Sequence, residues 1–321
     1  MLDLAIANLL SPIVLSFILG LGAALARSDL SVPEAVAKGI SIYLLFAIGF
    51  KGGASLADHG IDLTLGLSLF AGVLLSFGLP LLGFGVLRAL SGISRTDAAA
   101  VAGHYGSISI VTFVAGTSVL NDAGIASEGY MVAVAAAMEA PAILSALWLI
   151  SRGSDVTEMS SDVWREILLN GSIVLLLGAF AIGIITGADG MARIESFVVS
   201  PFQGVLCLFL LDMGLIAGRG LRQAGVLDRG AIAFGFIMPL LGATAGLIAA
   251  LVVGLSVGGT TLMMTLAASA SYIAVPAAMR VAVPQANPSI YLTLSLAVTF
   301  PFNLVLGLPL YLTVAQSVIG S

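Results

Sequence analysis

Long hydrophobic stretches alternate with short polar breaks along the whole chain. Each stretch holds about 20 or more nearly uninterrupted apolar residues, which is the length that an α-helix needs to cross a bilayer. A membrane β-barrel would show segments of about ten residues with alternating hydrophobicity instead. The pattern predicts an all-α membrane protein with ten spanning helices, at 3–26, 34–56, 62–90, 95–120, 127–151, 163–187, 197–221, 229–255, 260–283 and 288–317.

The longest polar break lies at the middle of the chain and predicts a linker between two halves. On this basis the first five-helix repeat covers 1–151, the linker 152–162 and the second five-helix repeat 163–321. The first hydrophobic stretch has no basic segment before it and runs to about residue 26. We therefore expect a spanning helix there rather than a cleaved signal peptide.

Short sequence matches relate the two halves. The matched positions keep their order and are displaced by 159 to 165 residues, as loop-length differences after a duplication would produce. The matches are Leu79-Pro80-Leu81-Leu82-Gly83 with Met238-Pro239-Leu240-Leu241-Gly242, Gly49 with Gly214, Gly53 with Gly218, Ser107 with Ser271, and Pro141 with Pro301. Because each unit has an odd number of helices, the repeats are predicted to be inverted.

Composition and charge add an orientation to this picture. Only 9% of the residues are charged and the mean hydropathy is +1.14, far from the composition of soluble domains. This composition is that of an integral membrane protein, so we expect membrane lipid around it. The net charge of -5 is scattered over single residues and predicts no nucleic-acid or acidic-lipid partner. Of the twelve Lys and Arg residues, only Lys51 and Arg193 fall on one predicted face. The positive-inside rule then predicts a cytoplasmic linker and both termini outside the cytoplasm. The expected location is the cytoplasmic (inner) membrane.

Two runs of small and polar residues interrupt the fourth and ninth predicted helices. The first extends from Gly103 to Thr112 and the second from Ala267 to Pro276. Non-helical backbone at membrane depth survives only where it is buried in protein or lines a wet cavity. Paired interruptions at matched positions are the best sequence indication of a transporter's binding site. The alternative is that the small residues merely allow close helix packing.

If the two interruptions face each other, their half-helix N-termini offer N–H groups and partial positive charge to a small anion. The candidate anion-binding residues are Gly103, Tyr105, Gly106, Ser107, Ser269, Ala270 and Ser271. Freed carbonyls and hydroxyls offer oxygen ligands to sodium. The candidate sodium-binding residues are Ser107, Ser109, Thr112, Glu139, Ser271 and Asn303. No other metal site, phosphate loop or dinucleotide fingerprint is predicted.

Glu139 is the most unusual of these residues because it lies in the middle of a predicted span. A carboxylate there costs about 2.5–3.5 kcal/mol on insertion scales and is a functional candidate by default. Pro141 loosens the adjacent helix, so Glu139 is placed to complete a cation site or to take a proton. The alternative is a structural pair with a buried donor. Asn303, near the matched Pro301, is the closest polar residue of the second half.

Several segments resemble the SbtA-type sodium-dependent bicarbonate transporter family, and together they cover nearly the whole chain. They are Gly103 to Thr112, Met138-Glu139-Ala140-Pro141-Ala142, Ala267-Ala268-Ser269-Ala270-Ser271 through Pro276 and Arg280 to Pro284-Gln285-Ala286-Asn287-Pro288-Ser289, Pro309-Leu310 and Ala315-Gln316. Two features differ from the cyanobacterial members. Tyr272 stands where those members carry an aspartate, and residues 152–162 form a much shorter linker. The chain therefore resembles a divergent, short-linker branch.

The resemblance implies a bile-acid-transporter-like elevator fold with discontinuous fourth and ninth helices. Helices one, two, six and seven would form a gate domain, and helices three to five and eight to ten a core domain. It also implies a homotrimer, sodium-coupled bicarbonate uptake and a PII-like cytosolic regulator. We therefore expect a secondary transporter, not an enzyme, with sodium as coupling ion and no cofactor. The alternatives are another small carboxylate or a proton-coupled solute on the same scaffold, an intramembrane hydrolase using Ser107 or Ser109, and a channel.

Overall fold

The structure is a computed structural model that describes residues 10–59, 62–151, 171–222, 227–272, 275–276, 279, 283 and 285–320. All regular elements of this part are helical: α1 (Pro12–Leu25), α2 (Glu34–His59), α3 (Leu63–Leu90), α4 (Arg95–Gly106), α5 (Ile110–Asp122), α6 (Met131–Ala137), α7 (Ala140–Ser151), α8 (Gly171–Val198), α9 (Phe202–Arg222), α10 (Arg229–Val253), α11 (Val257–Ala268) and α12 (Pro288–Ile319). The predicted linker, the first residues of the first and sixth predicted helices, and Arg280 lie outside the described residues.

Eight helical stretches of the described chain are long and apolar enough to cross a membrane. They are Glu34–Ala57, Leu63–Leu90, Arg95–Asp122, Met131–Ile150, Val174–Val198, Phe202–Arg222, Arg229–Val253 and Pro288–Ile319. They correspond to the second to eighth and the tenth predicted spans. The shorter apolar helices α1 and α11 fall in the first and ninth. The prediction of a multi-pass helical membrane protein is confirmed, while the count of ten spans stays a prediction.

The end predicted for the sixth span coincides with a sharp bend in α8. The span is predicted to end at residue 187, and a second helical segment follows the bend and continues to Val198. The bend is at Gly187, whose φ of 55° and ψ of -150° are available to glycine because it has no side chain. The polar residues that predicted a loop therefore belong to a second helical segment of α8.

Glycines let two pairs of helices approach at backbone distance. Helix α1 packs on α9, and α2 packs on α8. A Cβ atom at Gly214 would overlap the carbonyl oxygen of Phe17, and one at Gly53 would overlap that of Phe180. In both pairs, the missing side chain of a glycine on one helix leaves room for the backbone of the other helix.

The same kind of contact repeats one helical turn away in each pair. A Cβ atom at Gly49 would lie 2.6 Å from Leu176 O, and one at Gly218 would lie 2.9 Å from Leu21 O. Each pair therefore has two such contacts four residues apart, about one helical turn, and they fit the sequence matches of Gly49 with Gly214 and Gly53 with Gly218.

We expect Gly53→Ala and Gly214→Ala each to lower the melting temperature of the purified protein. The added methyl group forces two tightly packed helices apart, and overpacking of this kind costs about 1–3 kcal/mol. Gly22→Ala on α1 is the matched control, because nothing lies within 4 Å of a Cβ at that position. Equal melting temperatures for the three variants would contradict the proposed role of the close contacts.

The remaining helices pack mainly among themselves. Helix α3 contacts α4, α7 and α10, and α11 contacts α10 and α12. Helix α9 contacts both α2 and α12. The division into a gate domain (α1, α2, α8, α9) and a core domain (α3 to α7, α10 to α12) therefore stays a prediction from the resemblance. Movement of one group past the other stays a prediction.

Asp228 ties two core helices together at one end. It is the N-cap of α10, and its carboxylate accepts hydrogen bonds from Ala231 N at 2.7 Å, Ser91 Oγ at 2.8 Å and Gly92 N at 3.0 Å. The bonds from the Ala231 and Gly92 N–H groups, with a smaller contribution from Ser91, hold the pKa of Asp228 below its ordinary value. The loop between α3 and α4 is therefore anchored to the start of α10 by a charged cap.

Asp228→Ala should lower the melting temperature at pH 7, since loss of an N-cap typically costs about 1 kcal/mol. The folded-state pKa is depressed, so this stabilisation is present above the unfolded pKa of about 3.9 and is lost as the pH falls through the folded value. The difference in melting temperature between parent and variant should therefore become smaller below about pH 4. A difference that stays constant or grows on acidification would exclude the charged cap as its cause.

Candidate functional site

Two short non-helical segments interrupt the core. Helix α4 ends at Gly106 and α5 begins at Ile110, with extended backbone at Ser107 (φ -88°, ψ 151°) and Ser109 (φ -98°, ψ 108°). Helix α11 ends at Ala268, and residues 269–272 are not helical. The predicted interruptions therefore exist, but they are narrower than the runs that predicted them.

The two interruptions are hydrogen-bonded to each other. Ser109 N donates to Ser269 Oγ at 2.8 Å, and Ser271 N donates to His104 O at 2.7 Å. Residues 107–109 and 269–272, here called the crossing, are all buried, including Ala270. The structure thus brings the predicted anion-binding residues of the two halves together in the interior of the core.

The predicted residues Gly103 and Gly106 are helical, and their role in the structure is packing. A Cβ atom at Gly106 would overlap the ring of Pro80 and lie 2.6 Å from Ser76 O. One at Gly103 would lie 2.7 Å from Ala146 Cβ. These two positions fit the packing alternative for small residues. Their proposed role in binding the anion stays a prediction.

A group of buried polar atoms at and around the crossing has no hydrogen-bond partner. In the part of the chain that the structure describes, the buried side-chain atoms without a partner are His104 Nε2, Ser107 Oγ, Thr112 Oγ1, Glu139 Oε2, Ser145 Oγ and Tyr272 OH. Buried polar groups in folded proteins are nearly always hydrogen-bonded. Buried oxygens that lack a partner are expected where a polar ligand binds, so this group of atoms marks a candidate ligand site.

Two of these oxygens lie near the start of α5. Ser109 Oγ accepts a hydrogen bond from Thr112 N at 3.2 Å, which places Thr112 one turn into the helix. The Tyr272 side chain lies beside Ser109. Tyr272 also packs edge-on against Phe300, which in turn packs against Phe17 of α1. The crossing therefore connects through an aromatic contact to the helices outside the core.

Glu139 lies in a third break, between α6 and α7. The carbonyl of the preceding residue, Met138, accepts a hydrogen bond from the Ser76 hydroxyl, and Ser76 is the residue against which Gly106 packs. Glu139 is only 6% exposed, and its Oε2 has no partner. Glu139 is therefore a buried carboxylate whose neighbour Met138 is linked through Ser76 to Gly106, the last helical residue before the first interruption.

Thr299 is a polar residue of the core that sequence analysis did not identify. Its hydroxyl donates to Gly235 O at 2.7 Å, and Tyr105 OH therefore donates to Thr299 Oγ1, at 2.6 Å. The Gly235 carbonyl is free to accept because Pro239, four residues later, has no N–H. Thr299 precedes Pro301 by two residues, as Glu139 precedes Pro141, and this shared offset is the signal that could have found it.

Asn303 holds the end of α11. Its Nδ2 donates to Ala268 O at 2.9 Å, and its Oδ1 accepts from Tyr311 OH at 2.7 Å. The amide thus satisfies a carbonyl that the end of the helix leaves without an intrahelical partner. Sodium ligation by Asn303 stays a prediction beside this structural role.

His104 does not pair with either candidate serine. Its Nδ1 bonds to Ala100 O at 2.7 Å, and its ring stacks on Tyr291 with centroids 4.4 Å apart. His104 Nε2 and Ser107 Oγ both have no hydrogen-bond partner. A serine hydrolase needs the nucleophile within reach of an oriented base, and this arrangement does not provide one.

A cavity of about 240 Å³ lies between α2 and α9 on one side and α5, α6 and α11 on the other. Phe113 and Thr117 of α5 line it, one and two turns beyond Ser109, together with Lys51 of α2 and Glu128. The Lys51 ammonium lies 4.7 Å from the centre of the Phe202 ring. The cavity therefore has a partly polar lining on the side of α5 that lies beyond the first interruption.

A family model described as the Na+-dependent bicarbonate transporter superfamily matches residues 12–316. No curated protein matches the chain. The family match includes both halves of the crossing and Glu139, and the family is one of transporters rather than enzymes. The chain therefore belongs to the Na+-dependent bicarbonate transporter superfamily.

Proposed function

We propose that the protein takes up bicarbonate, or a similarly small anion, together with sodium across the inner membrane. One observation carries the proposal: two helix interruptions are bonded together inside the core, and unpartnered buried oxygens surround them. Such an arrangement suits a small ion pair, because every polar group at membrane depth requires a partner. Membership of the superfamily gives the class of cargo.

In this proposal, sodium binds to hydroxyl and carboxylate oxygens beside the first interruption. Ser107, Thr112 and Glu139 supply atoms that have no other partner. The anion then binds against the N-terminus of α5, where N–H groups and the helix dipole favour negative charge. Glu139 and the anion would repel each other without the cation between them. Either ion bound alone therefore leaves an uncompensated charge inside the membrane. Transport of the anion is coupled to transport of sodium for this reason.

The core helices would carry both ions past the gate helices in an elevator movement. Support comes from the packing of α1 on α9 and of α2 on α8, and from the glycine contacts that these two pairs share. Inverted repeats with both termini outside the cytoplasm follow from the helix count and from the Lys and Arg distribution. The homotrimer and the PII-like regulator belong to the proposal through the family resemblance alone.

The proposal is tested by uptake of labelled bicarbonate into proteoliposomes. An inward sodium gradient should accelerate uptake severalfold over an equal potassium gradient, and protein-free liposomes should show no sodium effect. Uptake that is indifferent to sodium would reject the proposal. If a proton gradient alone drives uptake, the coupling ion is a proton. Sodium-driven uptake of labelled formate or acetate that excess bicarbonate does not inhibit would identify a carboxylate transporter on the same scaffold.

A further inference from the structure

We infer that the core binds a single coupling cation in each transport cycle, on the first-repeat side of the crossing. The inference rests on the proposed function and adds a stoichiometry to it. Duplicated halves raise the expectation of two equivalent cation sites related by the internal symmetry. A comparison of corresponding positions indicates that only the first half has unpartnered side-chain oxygens that can bind a cation.

In the first repeat, three residues around the interruption end in oxygens without a partner. They are Ser107 in the interruption, Thr112 in the first turn of α5, and Glu139 in the break between α6 and α7. All three side chains are at least nine-tenths buried. Two hydroxyls and one carboxylate form a ligand set with one formal negative charge, which suits one monovalent cation.

The corresponding residues of the second repeat do not repeat this set. The displacement that relates Ser107 to Ser271 relates Thr112 to Pro276, which has no side-chain oxygen. Ser271 Oγ accepts a hydrogen bond from Val275 N at 3.4 Å. At these two positions the second half has one hydroxyl, that of Ser271, and it already accepts a hydrogen bond. The first half has two hydroxyls, those of Ser107 and Thr112, and neither has a hydrogen-bond partner.

The counterpart of Glu139 is also engaged. The displacement that relates Pro141 to Pro301 relates Glu139 to Thr299. The Thr299 hydroxyl donates to Gly235 O and accepts from Tyr105 OH, both at normal distances. The neutral Thr299 hydroxyl thus has both a hydrogen-bond donor and an acceptor as partners. Its counterpart in the first half, the Glu139 carboxylate, has an oxygen without a partner.

The charge distribution along the sequence leads to the same conclusion. Residues 229–321, which supply all of the second repeat's core helices, contain no aspartate and no glutamate. A second cation near the crossing would find no compensating carboxylate on these core helices, and an unpaired charge at membrane depth is costly. In the described part of the first half, Glu139 is the only acidic residue whose side chain is buried.

A single monovalent cation with one bicarbonate makes a cargo of zero net charge. The inference is therefore tested by measuring initial fluxes of 22Na+ and H14CO3- into the same proteoliposomes. We expect a flux ratio of one, and equal uptake rates whether a potassium diffusion potential is set to zero or to inside-negative. A ratio of two, with faster uptake at inside-negative potential, would overturn the inference and leave the proposed function intact. If bicarbonate drives no sodium flux at all, both are rejected.

A binding measurement separates one site from two without relying on transport. Purified protein in detergent should bind one 22Na+ per chain in the presence of bicarbonate, and Glu139→Gln should bind none. If two sites existed, Glu139→Gln would keep one bound sodium, which would overturn the inference. Size-exclusion chromatography checks that the variant is folded. Should Glu139→Gln fail to fold, the flux ratio of the parent protein decides the question.

Discussion

Glu139→Gln is expected to abolish sodium-stimulated bicarbonate uptake or to raise the half-saturating sodium concentration at least tenfold. The substitution keeps the size of the side chain and removes the one formal negative charge beside the first interruption. A charge-assisted contact contributes about 1.5–3 kcal/mol. Since about 1.4 kcal/mol corresponds to a factor of ten, the loss predicts a shift of roughly 10- to 150-fold.

The sodium dependence of initial uptake in proteoliposomes measures this effect. Asp122→Asn is the matched control, because it makes the same chemical change at an exposed carboxylate at the end of α5. Its sodium dependence should equal that of the parent. An unchanged sodium curve in Glu139→Gln, at normal protein yield, would remove this residue from the cation site.

Gly106→Ala should reduce both uptake and thermal stability severely. The added Cβ overlaps the Pro80 ring and approaches Ser76 O to 2.6 Å, so α4 must move away from α3. The next residue, Ser107, begins the interruption, and its displacement would pull the crossing apart. Overpacking costs about 1–3 kcal/mol, and helix displacement adds the loss of the hydrogen bonds between the two halves.

Melting curves and uptake rates of Gly106→Ala, compared with those of Gly85→Ala, measure this effect. Nothing lies within 4 Å of a Cβ at Gly85 on α3, so the control should behave like the parent. If Gly106→Ala transports at the parent rate, the close approach of α4 to α3 is not required for the site.

The sequence predicted the two interruptions correctly because runs of small and polar residues occur at matched positions in both halves. It overestimated their width. Gly103 and Gly106 carry the composition of an interruption, but their lack of side chains serves packing against Ala146 and Pro80. A run of small residues does not show where backbone bonding ends, because that depends on the neighbouring helices.

Other parts of the site depend on contacts that no local pattern encodes. The bridge from Tyr105 through Thr299 to Gly235 joins residues 64 and 194 positions apart in sequence. The contact from Ser109 N to Ser269 Oγ spans 160 positions. Glu139, in contrast, was identified at once, because a carboxylate in an apolar span is conspicuous without any knowledge of its surroundings.

The hydrogen bonds that join the two interruptions also constrain how the protein is made. While the first half is being synthesised, Ser109 N has no Ser269 to bond, and His104 O has no Ser271. The fourth span must therefore enter the membrane with polar backbone groups that find their partners only about 160 residues later. Assembly of the crossing is consequently a late event in biogenesis, and the first half has to wait in a solvated or chaperoned state until the ninth span arrives.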